Sequence, residues 1–366
     1  MRIMTLVGTR PEIIRLSETI KKLDLFFEHR LIHSGQNDQP NLKDFFFSDL
    51  GLRQPDSYES KKGTLAEQLG NFFKFLENEI NAFQPDGIVI LGDTNTGLAA
   101  LLAKRMGVIV YHIEAGNRSF DANVPEETNR KVIDHFSDFN LTYSKNAYDN
   151  LMREGIHPRF VNVCGSPLPE VIDVNLKKIH SSEVLSRLSL KPHEFILASL
   201  HRQENVDSKE RLRSSIDSLN ESSEYFGKPI VLSLHPRTKS KLKDSGITLE
   251  KNFQVIEPLG FLDYMKLQIE AFCTVSDSGS ISEESSHLGF PAVTIRDSIE
   301  RPEALESGSI VMSGLQGSSL IRSIKIVRNQ PIPSPPSAYG VKNHSEIVVK
   351  FIQSTLPQAK SWLGIR

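Results

Sequence analysis

Pro85-Asp86-Gly87-Ile88-Val89-Ile90-Leu91-Gly92-Asp93-Thr94 is the stretch on which the fold turns. The Pro-Asp-Gly turn ends a helix that opens at Thr64 and whose apolar face is Leu65, Leu69, Phe72, Phe73, Leu76, Ile80 and Phe83. Ile88 to Leu91 is apolar at every position, without the alternation of a half-exposed strand, and so predicts a parallel strand buried on both faces. After it, Leu98 to Ala103 is helical and Val108 to His112 is a second buried run. Toward the N-terminus, Ile3 to Val7 stops at Gly8-Thr9-Arg10-Pro11. Ile13, Leu16, Ile20 and Leu23 then share a helix face with Pro11 in its first turn, and His29 to His33 offers another strand. Strand and helix alternate in this way through Gly165, which predicts an open, doubly wound α/β sheet.

The pattern then restarts. Pro167, Pro169 and a polar Lys- and Ser-bearing segment up to Pro192 read as a connection between domains. Candidate strands follow at Ile196–Leu200, Ile230–Leu234, Phe253–Ile256, Cys273–Ser276, Ala292–Ile295 and Ser309–Met312. Gln330 to Ser337 is too rich in proline for a helix or central strand and reads as a surface connection. Helical spacing returns at Ile347, Val348, Phe351 and Ile352. Two α/β domains suit a chain of 366 residues, whose 39% apolar and 24% charged content is that of a globular protein with a full core. A net charge of −2 argues against a general grip on nucleic acid or an anionic membrane, leaving room for a local basic pocket. Cys164 and Cys273 form neither a zinc spacing nor a disulfide framework, so no metal is expected and a reducing cytoplasm is the plain expectation. The first residues lack the apolar run of a signal peptide, and no apolar stretch reaches spanning length; neither secretion nor membrane insertion is expected.

Ligands of doubly wound sheets bind outside the carboxyl ends of the strands. At the first such end, Gly8-Thr9-Arg10-Pro11-Glu12 combines backbone N–H groups at a helix start with the cation of Arg10, and Arg15 lies a turn further on. That suits an anion, although both arginines also fit ordinary helix-surface roles. At the second, Asp93 is either a helix cap or a chemical carboxylate. At the third, His112-Ile113-Glu114 is followed by Pro125-Glu126-Glu127 and Arg130. These carboxylates gather near one sheet edge, where repulsion and burial can divide acid and base duties; ion pairing with Arg118 and Arg130 is the alternative. The second domain offers His201 after its first strand, His235 after the next, and Ser278-Gly279-Ser280 ahead of a helix carrying Glu284. The serine-glycine turn aims N–H donors at a phosphate, and an acid one turn into the helix suits ribose hydroxyls. A phosphate-binding turn on the second domain paired with a carboxylate cluster on the first favours a nucleotide-linked substrate between two Rossmann-like domains. No GxGxxG follows Val7, which argues against an NAD site there, and no GxxxxGK[ST] occurs, which excludes a P-loop ATPase.

Taken together in order and spacing, Gly8-Thr9-Arg10-Pro11-Glu12, Gly92-Asp93-Thr94, His112-Ile113-Glu114-Ala115-Gly116, Pro125-Glu126-Glu127, Asn129-Arg130, His201-Arg202, Asp277-Ser278-Gly279, Glu283-Glu284, Arg296-Asp297 and Glu300-Arg301-Pro302-Glu303-Ala304 resemble the non-hydrolysing UDP-N-acetylglucosamine 2-epimerases. The resemblance runs nearly the full chain. It implies a GT-B-like fold: two Rossmann-like domains, 1–172 and 173–354, facing a central cleft, with the closing helix (355–366, within a helix and tail from Ser345) packed back on the first domain. It also implies a cofactor-free cytoplasmic enzyme, typically a homodimer, that serves surface polysaccharide synthesis. Such an enzyme interconverts UDP-GlcNAc and UDP-ManNAc by eliminating UDP to 2-acetamidoglucal and adding it back. Matched by motif, Asp93, Glu114 and Glu126 become the proton-transfer or oxocarbenium-stabilising carboxylates, and His201 the group that assists phosphate departure. Arg10, Ser278, Gly279 and Ser280 hold the diphosphate, Glu284 the ribose, and Arg301 and Arg130 the sugar side; Arg15 stands where the family usually has Lys. Asn117 after Gly116, Ser280 in the diphosphate turn, and Asn37-Asp38-Gln39-Pro40-Asn41-Leu42 in place of a Gln-x-x-Gln activator element look more like a neighbouring branch. That branch acts on UDP-2-acetamido-2,6-dideoxy-talose and makes UDP-N-acetyl-L-fucosamine. A glycosyltransferase of the same fold, a hydrolysing epimerase and an inactive nucleotide-sugar binder complete the alternatives.

Overall fold

A computed structural model describes residues 1–36, 46–59 and 63–364. The chain divides into two units, Met1–Val174 with Gly340–Arg366, and Asn175–Tyr339.

The first unit holds β1 (Arg2–Val7), β2 (Glu28–His33), β3 (Ser57–Tyr58), β4 (Gly87–Leu91), β5 (Ile109–Ile113), β6 (Phe139–Thr142) and β7 (Val161–Val163) in one sheet ordered β3-β2-β1-β4-β5-β6-β7. Every pairing is parallel. Strand order reverses between β1 and β4, so the loops that begin at Gly8 and Gly92 open side by side at the switch point. Apolar runs produce this sheet because its central strands are buried along their length. Met4, Leu6, Ile88 and Ile90 pack against Phe72, Leu76, Ile80 and Phe83 of the helix Leu65–Phe83, and against Ala99, Ala100 and Ala103 of the helix Asn95–Arg105. Each fully buried aliphatic side chain here contributes about 1.5–3 kcal/mol.

The second unit repeats the design with β8 (Ile196–Leu200), β9 (Ile230–Leu234), β10 (Phe253–Ile256), β11 (Cys273–Ser276), β12 (Ala292–Thr294) and β13 (Val311–Met312), ordered β10-β9-β8-β11-β12-β13 and again parallel. Its switch point lies between β8 and β11, which sets the loops at His201 and Asp277 together. One face of the sheet packs on Leu212, Ile216 and Leu219 with Leu320 and Ile324; the other packs on Val184, Phe195 and Leu267.

The segment expected to be a plain connection before Pro192 is instead helical at Leu168–His180 and Val184–Arg187. Its polar residues belong to helices that each bury only one stripe. The Pro-rich run 330–337 lies near the end of the second unit, and the chain re-enters the first one at Gly340. The helix His344–Leu363 begins at that return. Its start is tied down by Ser345, whose N–H and hydroxyl both donate to Glu170 (2.7 and 2.6 Å), and further along the Tyr111 hydroxyl meets Thr355 Oγ1 at 2.8 Å.

Candidate functional site

The chemistry of the first unit gathers where β1, β4, β5 and β6 end. Thr9 caps the helix Arg10–Phe26 in a capping box with Glu12. The Glu12 carboxylate is buried and accepts from Gly8 N (2.9 Å), Thr9 N (2.7 Å) and the Thr9 and Thr94 hydroxyls. The turn expected to offer free N–H groups to a phosphate has therefore spent these two on its own carboxylate. Burial, only partly offset by these four bonds, pushes the Glu12 carboxyl up to about 7. Arg10 instead lies with its guanidinium 5.6 Å from the Phe46 ring centroid. Gly8 must be glycine, because a Cβ there would land on the Ser34 and Thr96 hydroxyls.

Thr94, not Asp93, caps the next helix, its hydroxyl accepting from Gly97 N at 3.2 Å. That leaves the Asp93 carboxylate to Arg130, whose Nη2 lies 2.7 Å away, while Arg130 Nη1 binds Glu127 at 3.0 Å. Glu127 is held below the usual carboxylate range. Burial works upward, but the N–H and hydroxyl of Ser119 and the Arg130 charge outweigh it. Glu126 sits in the first turn of the helix Pro125–Phe136, partly exposed, with no hydrogen bond or ion pair among the described residues.

Glu114 follows β5 with φ of 75°, a left-handed backbone uncommon outside glycine. Its Oε2 accepts from Arg15 Nη1 at 3.0 Å and from the Tyr143 hydroxyl at 3.1 Å, and Asn117 Nδ2 lies 3.5 Å from Oε1. Gly92, before Asp93, packs against this carboxyl: a Cβ placed there would stand 3.9 Å from it. Arg118 is not its partner. Buried Arg118 binds Asp134 (2.7 Å) and Glu154 (2.6 Å) instead. Asp134 also lies 2.9 Å from His112 Nδ1, and His112 Nε2 lies 2.9 Å from the Gly92 carbonyl. His112 thus ties the β4 loop to the helix behind it, a support that its sequence position gave no reason to expect.

In the second unit the Asp277 carboxylate, wholly buried after β11, organises the β8 loop. It accepts from the backbone N–H groups of His201 (3.1 Å) and Arg202 (3.0 Å), and its Oδ1 lies 3.0 Å from His201 Nδ1. Burial opposes this charge, but the His201 ring and those N–H groups outweigh it and hold Asp277 below the usual carboxylate range. With Nδ1 so engaged, the half-exposed His201 has Nε2 as its outer nitrogen. Gly279 is forced by close neighbours: a Cβ would stand 2.6 Å from Glu300 Oε1 and 3.2 Å from Arg202 Nη2. Ser278 and Ser280 share a 2.9 Å hydroxyl contact, and Ser280 starts the helix Ile281–Leu288 without capping it with its side chain. Ser278, Gly279, Arg296, Glu300 and Arg301 line one pocket. Glu300 draws Arg202 (3.1 Å) and Arg296 (2.7 Å) together, and Arg301 binds Glu283 at 2.7 Å. Arg296 is 2% exposed, yet its Nε and Nη2 meet no hydrogen-bond acceptor among the described residues. Buried donors of this kind are normally satisfied, so their partners lie outside the described residues, and a water or an anion could serve. Glu284 is buried one turn along, held by Gln268 Nε2 at 2.6 Å.

The structure thus brings Asp93 to Arg130, Arg15 to Glu114, and His201, Ser278, Gly279, Ser280 and Arg301 to the switch-point loops of the second unit. Asp277, Arg296 and Tyr143 had no role assigned from sequence, although Asp277 and Arg296 stand within the quoted motifs. The Asn37–Leu42 departure lies outside the described residues. Among those residues no helix is long and apolar enough to cross a membrane, and no group of three or more His, Cys, Asp or Glu side chains could hold a metal ion.

The sequence model of the family described as UDP-N-acetylglucosamine 2-epimerase matches residues 20–353. The UDP-N-acetylglucosamine 2-epimerase of Methanocaldococcus jannaschii is 36% identical over 90% of this chain and 93% of its own. The UDP-2,3-diacetamido-2,3-dideoxy-D-glucuronate 2-epimerase of Pseudomonas aeruginosa is 32% identical over 96% of this chain and 99% of its own. The crystal structure of the Methanocaldococcus jannaschii UDP-GlcNAc 2-epimerase in complex with UDP-GlcNAc and UDP superposes with a TM-score of 0.91, covering 97% of this chain and 100% of that one at 35% identity. With a family match across most of its length and relatives above 30% identity covered almost completely, this chain belongs to the UDP-N-acetylglucosamine 2-epimerase family.

Proposed function

We propose that the protein inverts carbon 2 of a UDP-N-acetylhexosamine, interconverting UDP-GlcNAc and UDP-ManNAc, by eliminating UDP and adding it back to the resulting 2-acetamidoglucal. The proton on carbon 2 is barely acidic, so its removal must be coupled to departure of UDP from carbon 1. The reaction is redox-neutral overall and asks for no hydride carrier. Its needs divide as the residues do. Asp93, Glu114 and Glu126 of the first unit serve as acid, base or stabiliser of positive charge at the ring. His201, oriented by Asp277, eases the diphosphate away. Arg10, Ser278, Gly279 and Ser280, joined by Arg296, retain it near the glucal; Glu284 takes the ribose hydroxyls; Arg130 and Arg301 face the sugar. Arg15 acts through Glu114, the residue it contacts.

The observation that carries the reading is Glu114: a carboxylate in a left-handed backbone, gripped by a guanidinium and a phenol, at a strand end beside Asp93. Incubation with UDP-GlcNAc in heavy water is the test. Deuterium must appear at carbon 2, with UDP-ManNAc formed. No incorporation with any UDP-N-acetylhexosamine overturns the reading, and free ManNAc accumulating with UDP would mark a hydrolysing enzyme instead. A second substrate, UDP-2-acetamido-2,6-dideoxy-talose, is favoured by Asn117, which sets an amide beside Glu114 where the family resemblance leads one to expect leucine. Running the two sugars side by side decides between them. The proposal also makes the protein a cytoplasmic homodimer. Support comes from the family resemblance for the dimer, and from Cys164 and Cys273, both buried and free, for a reducing compartment.

A further inference from the structure

Glu114 cannot hold its place by packing alone, because its backbone is strained and its charge is buried, 8% exposed. Three donors surround it, and their chemistry leaves no freedom of direction. Arg15 is only a donor and an ionised Glu114 only an acceptor, so the single hydroxyl proton of Tyr143 must point at Glu114 (3.1 Å) while its oxygen accepts from Arg15 Nη1 (3.3 Å). The three form a closed triangle in which each side is a hydrogen bond.

The position of Tyr143 follows from the sheet. β5 and β6 pair with Ile113 opposite Leu141, so the residues that follow each strand emerge as neighbours. The Tyr143 ring is 2% exposed, has the Arg15 guanidinium 5.8 Å from its centroid, and meets the edge of His344 at 6.3 Å. His344 comes from the returning segment and is fixed by a 2.9 Å contact between its Nδ1 and the Gly165 carbonyl; burial lowers its ring to about 4, so it adds no positive charge at neutral pH.

We infer that Tyr143 is a positioning residue of the epimerase reaction, whose hydroxyl both aims the Glu114 carboxylate and stabilises its ionised form. The inference rests on the proposed role of Glu114. The groups that face Glu114 include Arg15 from the first helix, Tyr143 after β6, Asn117 from its own loop, and the Gly92 backbone; Asp93 beside Gly92 is paired with Arg130, and His344 faces the far side of Tyr143. Tyr143→Phe removes one oxygen and keeps the ring. Losing a hydrogen bond to a charged group predicts kcat lower by roughly ten- to a hundredfold at neutral pH, KM unchanged, and the acidic limb of the kcat/KM profile displaced upward. An unaltered profile, or a loss equal at every pH, overturns the inference. A measurement without turnover separates this outcome from a failure of the function itself. In protein carrying 13C-carboxyl glutamate, the Glu114 resonance, assigned by its absence in Glu114→Gln, should titrate at higher pH in Tyr143→Phe than in the parent. Coincident titrations refute the role of Tyr143 whether or not UDP-GlcNAc proves to be the substrate.

Discussion

Glu12 should make stability depend on pH in the direction opposite to that of an ordinary surface carboxylate. Its carboxyl rises from an ordinary 4.5 to about 7 because it is buried. The folded protein therefore holds a proton that the unfolded chain releases. Between these two values stability falls as pH rises, and above about 7 the ionised group imposes its full cost. At about 1.4 kcal/mol per pH unit this cost is about 3 kcal/mol, most of it incurred between pH 5 and pH 8. Glu12→Gln removes the titration. Its carbonyl oxygen can accept from Gly8 N, Thr9 N and the Thr9 hydroxyl, and the Thr94 hydroxyl can turn to accept from the new amide. Thermal unfolding of parent and variant across this range isolates the group, since all others cancel in the difference. The variant should gain on the parent by about 2–3 kcal/mol from pH 5 to pH 8, on the order of 5–10 °C in Tm. A difference that stays constant over that range would refute the reasoning. So would one that grows toward acid.

Glu114→Gln should abolish deuterium exchange at carbon 2 while UDP affinity, measured by calorimetry, changes little, since the assigned UDP contacts other than Arg10 belong to the second unit. Asp277→Asn should lower kcat by roughly a hundredfold, through loss of the carboxylate that engages His201 Nδ1. Because Asp277 is held below the usual range, the stability it contributes is present at neutral pH and is lost as pH falls through its folded value; acid unfolding of Asp277→Asn should flatten accordingly. Gly8→Ala should cost about 1–3 kcal/mol in urea unfolding, because the new methyl collides with Ser34 and Thr96.

Long apolar runs announced themselves. Ile196–Leu200, Ile230–Leu234, Phe253–Ile256 and Cys273–Ser276 are strands with the bounds read from sequence, since short, mostly apolar runs bounded by turn residues suit strands of a parallel sheet even where Ser199, Ser233, Gln254 or Thr274 stands among them. β6 and β7 were overlooked for the converse reason. Asn140 stands inside β6, buried, with its amide donating to the Asp134 carbonyl, while β7 is three residues long with Val163 exposed. Missing β6 also hid Tyr143. The strand-end rule placed Asp93, Glu114, His201 and Ser278 correctly at carboxyl ends of strands, because switch-point topology depends on connectivity that the alternation of elements reveals. What the rule cannot see is which donor already has an acceptor. Glu12 fills the first turn, Thr94 frees Asp93 from capping, and Asp277 is spent on the His201 loop; each outcome depends on contacts between segments distant in sequence.

The return of the chain at Gly340 has a consequence during biosynthesis. Asn175–Tyr339 is one continuous segment, whereas the wall behind Tyr143 is supplied by residues beyond Gly340, which leave the ribosome after all of it. A nascent chain can close its later lobe first and must keep the earlier one unfinished, with the ring of Tyr143 and the carboxyl of Glu170 awaiting His344 and Ser345. A message truncated just upstream of Gly340 would thus yield the whole of the second unit joined to a first unit that lacks its closing helix and the partners of Tyr143 and Glu170.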